Sequence, residues 1–399
     1  MDGIGFLTAV FFLGLAVHAW WQLRGACRTL GDGKDAEPAC DSDGPEVGVV
    51  LCLKGADPFL EKTFRQLATQ DYARYRVLIV VDSEKDEACE GARRAERMYG
   101  GDRFRIIIRH REYAQCSRRT SSLLSALEGL ADEVEIVVLC DGDAVVPRTF
   151  LAQLVRGLSE KGVMAVSGNR WYVPSGGNLA SFSRYYWNAL AVPAMEQFGI
   201  PWAGSLAFRS ELFRSPGFRK TLRTAFSEDT AIAAHLRRQG LQYKSLPLLK
   251  VVNQESTTLS GYWGFLVRQM LAVKLHHPDW GKILAHGVAL GVAVWVLLPL
   301  VVFMGSVGMS VTAASVLVYA TTVLVMVEAY DRRLRGMIPE MGQAEPTSMG
   351  RRMRFVCGMV LTALVYPLAV MRAWTTRTHC WRGIRYRVWR NRIRVVTES

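Results

Sequence analysis

Two aspartates one residue apart, Asp141 and Asp143, end a short β-branched run in "EIVVLCDGDAVVP". Carboxylates held this close repel each other and resist joint ionisation. A hard divalent cation removes that conflict, because magnesium or manganese takes oxygen ligands and bridges protein carboxylates to phosphates. Gly142 between them leaves room for a phosphate-bearing ligand to approach the backbone. Another acid, Asp82, closes the run "YRVLIVVD", and Lys54 and Gly55 come directly after "VGVVLCL". Further on, "SEDTAIAAHLRRQG" carries Glu228 and Asp229 behind Ser227. Acids there suit the first turn of a helix capped by Ser227, and a carboxylate there can also act as a general base. Aspartate is common in turns, so any one of these residues means little alone. Their convergence reads as a metal–diphosphate clamp.

Such residues need a scaffold that delivers strand ends to one edge. Val47–Leu53, Tyr75–Asp82, Arg103–His110 and Val134–Cys140 read as strands, and Pro58–Gln70 and Thr120–Leu130 as helices between them. This alternation implies an α/β fold, a doubly wound and mostly parallel sheet that binds ligands outside the carboxyl ends of its strands. The domain is expected over 47–256, after a linker at 24–46 rich in small, acidic and turn residues.

The 399 residues are 50% hydrophobic and carry a formal charge of +13. That combination suits a membrane protein with a basic face toward anionic lipid, or a nucleic-acid binder. No helix-turn-helix or RNA-binding signature is present, so no nucleic-acid partner is expected. The eight cysteines form no CxxC and read as reduced thiols. Ile4–Leu23 holds no formal charge, and at helical rise it covers about 30 Å, one hydrocarbon core. Residues 1–23 therefore read as an anchor, with Arg24 and Arg28 placing the next part of the chain in the cytoplasm. Ile283–Met304 and Met309–Val327 read as a transmembrane hairpin within 283–330, after interfacial helices at 257–282. A basic cytoplasmic loop is expected over 331–354. Phe355–Met371 contains Pro367, and if it spans, it carries an arginine-rich tail across the membrane against the charge rule. Residues 355–374 are therefore expected to be re-entrant or interfacial, with 375–399 a basic tail on the cytoplasmic surface.

With these pieces in place, the chain resembles the inverting GT-A glycosyltransferases of family 2, closest to the ceramide glucosyltransferase branch and its bacterial hopanoid-type relatives. The resemblance rests on "LKGADPFL", "QDYARYRVLIVVDSEKDEA", "CDGDAVVP", "SEDTAIAAHLRRQG" and the ending "WRGIRYRV", in that order. It implies a GT-A-type sheet with transmembrane and interfacial helices, and an enzyme of the bacterial inner membrane or its equivalent. It also implies a nucleotide-sugar donor, UDP-glucose or a relative, a membrane lipid acceptor such as ceramide, and Mn2+ or Mg2+. Asp82, Lys54 and Gly55 would meet the nucleotide. Asp141 would support nucleotide and metal, Asp143 would hold the metal, and Asp229 would take the acceptor proton. Arg119 stands where relatives have a lysine near the nucleotide-sugar. Relatives carry a (Q/R)xxRW motif on an interfacial helix. Here "VRQMLAVK" keeps Arg268 at its first position, but Leu271 and Ala272 replace the Arg and Trp. Arg268, Lys274 or a tail arginine is expected to substitute.

A processive polysaccharide synthase of the same superfamily, and a non-catalytic module binding anionic ligands, are the alternatives. The aromatic helix "LASFSRYYWNALAV" reads either as an acceptor route or as core packing. His276 and His277 are adjacent and so do not share a helix face, which argues against a metal site there.

Overall fold

The computed structural model describes residues 2–30, 44–55, 57, 59–100, 102–174, 177–304, 307–338 and 349–396. Helix α1 (Asp2–Thr29) runs past the expected anchor into the expected linker, much of which lies outside the described residues. Then come β1 (Val47–Leu53), α2 (Leu60–Ala68), β2 (Tyr75–Val81), α3 (Ala88–Tyr99), β3 (Phe104–Ile108), α4 (Arg118–Glu128) and β4 (Ile136–Cys140). β1 pairs in parallel with β2 and β4, and β2 with β3, as the strand–helix alternation predicts.

Three strands beyond the sequence reading extend the sheet. After α5 (Phe150–Leu158) comes β5 (Val163–Tyr172), then α6 (Leu179–Phe198) and β6 (Ser205–Arg209). The short helices α7 (Glu211–Arg214) and α8 (Pro216–Leu222) precede α9 (Glu228–Arg238) and β7 (Gln242–Asn253). The order is β3-β2-β1-β4-β6-β5-β7, with β6 antiparallel to both neighbours. One face of the sheet buries against Phe64, Leu67 and Phe150, the other against Leu124, Leu127 and Phe218. Among the described residues every cysteine is free, as expected.

β4 is buried along its whole length and stops where the acids begin, since ionised carboxylates do not stay in a dry sheet. The Thr63 hydroxyl pins the turn by donating to the carbonyls of Gly142 at 2.8 Å and Ala144 at 3.2 Å. The need for glycine at 142 has a different cause from the one the sequence suggests. A Cβ there would lie 2.9 Å from Leu53 Cδ2, so the crowding comes from the end of β1.

After β7 the chain is helical: α10 (Leu259–His276), then α11 (Trp280–Val292), which passes through a π-helical turn at Ala293–Leu297 into α12 (Leu298–Met304). α13 (Val307–Met337) and α14 (Met349–Thr375) come next. Gly3–Thr29, Trp280–Phe303, Met309–Met337 and Met349–Thr375 are each long and apolar enough to cross a membrane. α1 and α13 lie together, joined by the Thr312 hydroxyl donating to the Gly5 carbonyl at 2.9 Å. α14 instead packs against α6, α10 and α11, and Trp295 Nε1 donates to its Leu364 carbonyl at 3.2 Å. Phe355 meets the rings of Tyr185 and Tyr186 edge-on, and Thr362 bonds the Tyr262 hydroxyl at 2.8 Å. At its far end, Lys274 Nζ donates to the carbonyls of Ala373 and Trp374, a cationic cap on the last turn. The aromatics of α6 are thereby accounted for as core: Tyr185 and Tyr186 are buried among Trp171, Tyr319 and Phe355.

The segment read as a basic tail folds. β8 (Thr378–Trp381), β9 (Ile384–Trp389) and β10 (Arg392–Val396) form an antiparallel meander. Its inner side chains, Tyr386, Val388 and Ile393, are buried in one cluster with Met270, Leu271 and Leu275 of α10. Each is worth about 1.5–3 kcal/mol of transfer free energy. Arg385, Arg387, Arg392 and Arg394 alternate with them on the exposed face.

Candidate active site

The carboxyl ends of β1, β2 and β4 open into one cavity of about 420 Å³. Lys54, Gly55, Asp82, Arg119, Asp141, Asp143 and Arg268, named from sequence, all line it. Asp229 does not.

At the β2 end, Asp82 accepts Lys54 Nζ at 2.9 Å on one oxygen and Arg109 Nε at 2.9 Å on the other. Burial pushes its carboxyl up, but Lys54 and Arg109 outweigh burial and hold it below the usual value. Beside it, Gly55 takes a left-handed backbone and its N–H donates to Asp86 at 2.8 Å.

At the β4 end, Arg119 forks between two acids, pairing Nη1 with Asp141 and Nε with Glu228. Glu228 is buried, which raises its pKa; Arg119 opposes that rise and Asp229 adds to it. Asp143 accepts Asn253 Nδ2 at 3.0 Å. Its pKa is pushed up to about 6 by burial, then by Asp141, Asp57 and Glu255, with Arg170 opposing. Among the described residues this carboxyl makes no ion pair, and with Asp141 it fits the oxygen donor set of a hard divalent cation.

Asp229 opens α9 with Ser227 before it, but the Ser227 side chain makes no cap. Its hydroxyl donates to Asp229 Oδ1 at 2.5 Å, where Thr230 N–H also donates at 2.6 Å. Asp229 Oδ2 accepts the Ala203 N–H at 3.1 Å. The adjacent histidines serve the backbone: His276 Nε2 accepts from Phe226 N–H and His277 Nδ1 from Asp279 N–H.

The opposite wall joins Arg268 to two arginines that the sequence did not single out, Arg170 and Arg184. Arg170 of β5 sits among aromatic rings, 4.9 Å from Phe265 and 5.4 Å from Tyr172. Arg184 of α6 pairs with Glu255 at 3.1 Å. Arg268 lies over the Trp381 ring at 5.0 Å. Its pKa is lowered to about 10, by burial first and then by Arg170, so it stays charged at neutral pH. Among the described residues, neither Arg170 nor Arg268 has a carboxylate within ion-pairing distance. A tyrosine and arginines in "GNRWY" and "SRYYW" were the available signal for this wall.

A family model described as "Glycosyl transferase family 21" matches residues 6–393. The chain belongs to glycosyl transferase family 21. The sequence resemblance is thus borne out as far as a GT-A glycosyltransferase, with family 21 in place of family 2. Among solved structures, this family 21 chain is similar to the mannosyltransferase PcManGT from Pyrobaculum calidifontis in complex with GDP-Man and Mn2+. The two are 19% identical with a TM-score of 0.51, over 94% of this chain and 99% of that one. It also matches glucosyl-3-phosphoglycerate synthase from Mycobacterium tuberculosis at 16% identity and TM-score 0.40, over 59% of this chain and 80% of that one. No curated protein sequence matches. The first likeness covers nearly the whole chain and establishes a GT-A-type fold.

Proposed function

We propose that this glycosyltransferase is inverting and non-processive, moving one hexose from a nucleoside-diphosphate sugar to the hydroxyl of a membrane lipid. One observation carries the reading: Asp141 and Asp143 share a cavity with Arg170 and Arg268, cations that lack carboxylate partners among the described residues. That arrangement is complementary to a diphosphate accompanied by a divalent cation. The resemblance in the sequence favours UDP-glucose. The neighbour bound to GDP-Man and Mn2+ supports the same ligand class and metal.

Asp143 and Asp141 would hold Mn2+ or Mg2+, which when bound neutralises charge on the leaving diphosphate. Lys54, Gly55 and Asp82 meet the nucleotide, and Arg268 the phosphates. Asp229 is the base. Glu228 is tied to Arg119, whereas Asp229 Oδ2 carries only the Ala203 bond among the described residues and keeps a lone pair. Asp229 takes the proton as the lipid oxygen bonds to the anomeric carbon. The bond from that carbon to the diphosphate oxygen breaks on the opposite face, and the configuration inverts.

The lipid acceptor is supported by the cavity wall at Gly261, Gly264 and Phe265 on α10. Exposed apolar residues on the same helix and on α14, including Leu259, Trp263, Leu368 and Trp374, continue it outward. The domain faces the cytoplasm in this reading. α14 then lies along the interface, its first turns held by Tyr185 and Tyr186 of α6 and its last by Lys274 of α10. Each arginine of the exposed meander face near an anionic membrane surface contributes about 1 kcal/mol.

The test is to incubate purified protein with labelled UDP-sugars or GDP-mannose, a divalent cation and a lipid extract. A single glycolipid product is expected. A polymer would favour the processive synthase, and no transfer from any donor would sink the proposal.

A further inference from the structure

We infer that the hairpin turn Trp381–Arg382 is a wall of the donor site and that Arg382 binds the diphosphate of the nucleoside-diphosphate donor. The inference rests on the donor class proposed above. Its starting point is α10, whose face toward the meander is apolar. Leu271 is fully buried and Ala272 nearly so, in one cluster with Tyr386, Val388 and Ile393. A cation or large ring at 271–272 has no route to the cavity, because the meander occupies that side. The meander itself returns both groups to the cavity, which Trp381 and Arg382 line together with His379.

The turn is held in place from three sides. Arg382 and Gly383 both take left-handed backbone conformations, giving the two-residue connection that matches strand twist. The Arg382 guanidinium donates to the Lys54 carbonyl, at the end of β1. The Arg118 N–H donates to the Tyr386 hydroxyl at 3.2 Å, and the Val395 N–H to the Ala114 carbonyl at 2.8 Å. Trp381 carries Arg268 on its ring at 5.0 Å. Arg382 and Arg170 both repel Arg268. Three guanidiniums thus converge, and among the described residues none of them has a carboxylate at ion-pairing distance. A diphosphate supplies the missing negative charge, and guanidinium forks match phosphate oxygens. Arg382 is a binding residue, whereas Trp381 is a positioning residue that holds Arg268 in place.

The next hairpin provides an internal control. Arg390 is also an arginine in a left-handed turn, but it does not line the cavity. Full-length protein in detergent is titrated with UDP and, separately, GDP, each with Mg2+, and with the matching monophosphates. Calorimetry compares wild type with Arg382→Ala, Arg382→Lys, Arg390→Ala, Trp381→Phe and Trp381→Ala. Arg382→Ala is expected to weaken the preferred diphosphate at least tenfold and its monophosphate less than threefold, with an unchanged melting temperature. Arg382→Lys recovers part of the loss, and Arg390→Ala binds as wild type. Trp381→Phe keeps affinity within threefold, and Trp381→Ala loses as much as Arg382→Ala. Equal diphosphate affinity in wild type and Arg382→Ala would overturn the inference, as would equal losses at Arg382 and Arg390. Wild type that binds neither diphosphate would instead overturn the donor class itself.

Discussion

Restoring a guanidinium to α10 is expected to harm the protein. Leu271→Arg removes a fully buried side chain, worth about 1.5–3 kcal/mol. It also places an unpaired cation among apolar neighbours, with an effective penalty of several kcal/mol. The region is already positive, since Arg170 and Arg382 help to lower the pKa of Arg268. Against this, the meander is held chiefly by Tyr386, Val388 and Ile393. Three such side chains contribute roughly 5–9 kcal/mol before the entropy of ordering is subtracted. The perturbation and the holding term are comparable, so the expected outcome is release of the meander from α10. Limited proteolysis should show new cleavage within 378–396, with the sheet domain still resistant. Leu271→Met is the control, costing less than about 1.5 kcal/mol. A Leu271→Arg protein as protease-resistant and as heat-stable as wild type would refute the argument, because position 271 would then have to face solvent or the cavity.

Asp229→Asn is expected to lower turnover about 10²–10⁴-fold with donor affinity unchanged, and a rate within threefold of wild type would remove Asp229 as the base. Asp143→Ala should abolish the metal-dependent part of nucleotide binding without unfolding the sheet; calorimetry with and without Mn2+ decides, and an unchanged metal increment counts against Asp143. A cysteine at exposed Asn391, with native cysteines removed, should resist an impermeant thiol reagent in intact cells and react after permeabilisation, whereas ready labelling would mean α14 spans. His276 is held neutral by burial, its pKa lowered to about 4. Its contribution is complete above the unfolded value of about 6.5 and is lost as pH falls toward 4, up to about 2 kcal/mol by pH 5. His276→Gln should therefore lose less melting temperature than wild type between pH 7 and 5, and equal losses would contradict the linkage.

The half of the sheet built by β1 to β4 was legible because each strand is a short apolar run that stops at a charge or a turn. β6 was not, since it is short and antiparallel and no crossover announces it. β7 carries Lys244, Pro247 and Lys250 within "QYKSLPLLKVVN", a pattern that does not read as a buried strand. The site divides along the same line. Lys54, Asp82, Asp141 and Asp143 follow the ends of the legible strands and meet in one cavity, whereas Arg170 and Arg184 come from the other half and Asp229, on α9, lies outside the lining. The fold of the tail was not legible for a different reason. Its arginines suggested a solvated, headgroup-binding segment, yet "IRYRVW" and "RIRVV" alternate with period two, the mark of a half-buried strand. Net charge masked that alternation.

The contact between Arg382 and Lys54 joins positions 328 residues apart. On the ribosome, β1 emerges early, and the hairpin that closes the cavity above it comes after the four helices that, among the described residues, are long and apolar enough to cross a bilayer. At ordinary elongation rates of about 5–20 residues per second, tens of seconds separate the two. During that interval the sheet can fold, but its donor cavity lacks a wall. Completion of the pocket is therefore timed to come after synthesis of the membrane helices, so a chain stalled before its last hairpin holds nucleotide-sugar poorly. Donor binding then begins only after the helices long enough to cross a bilayer have been made.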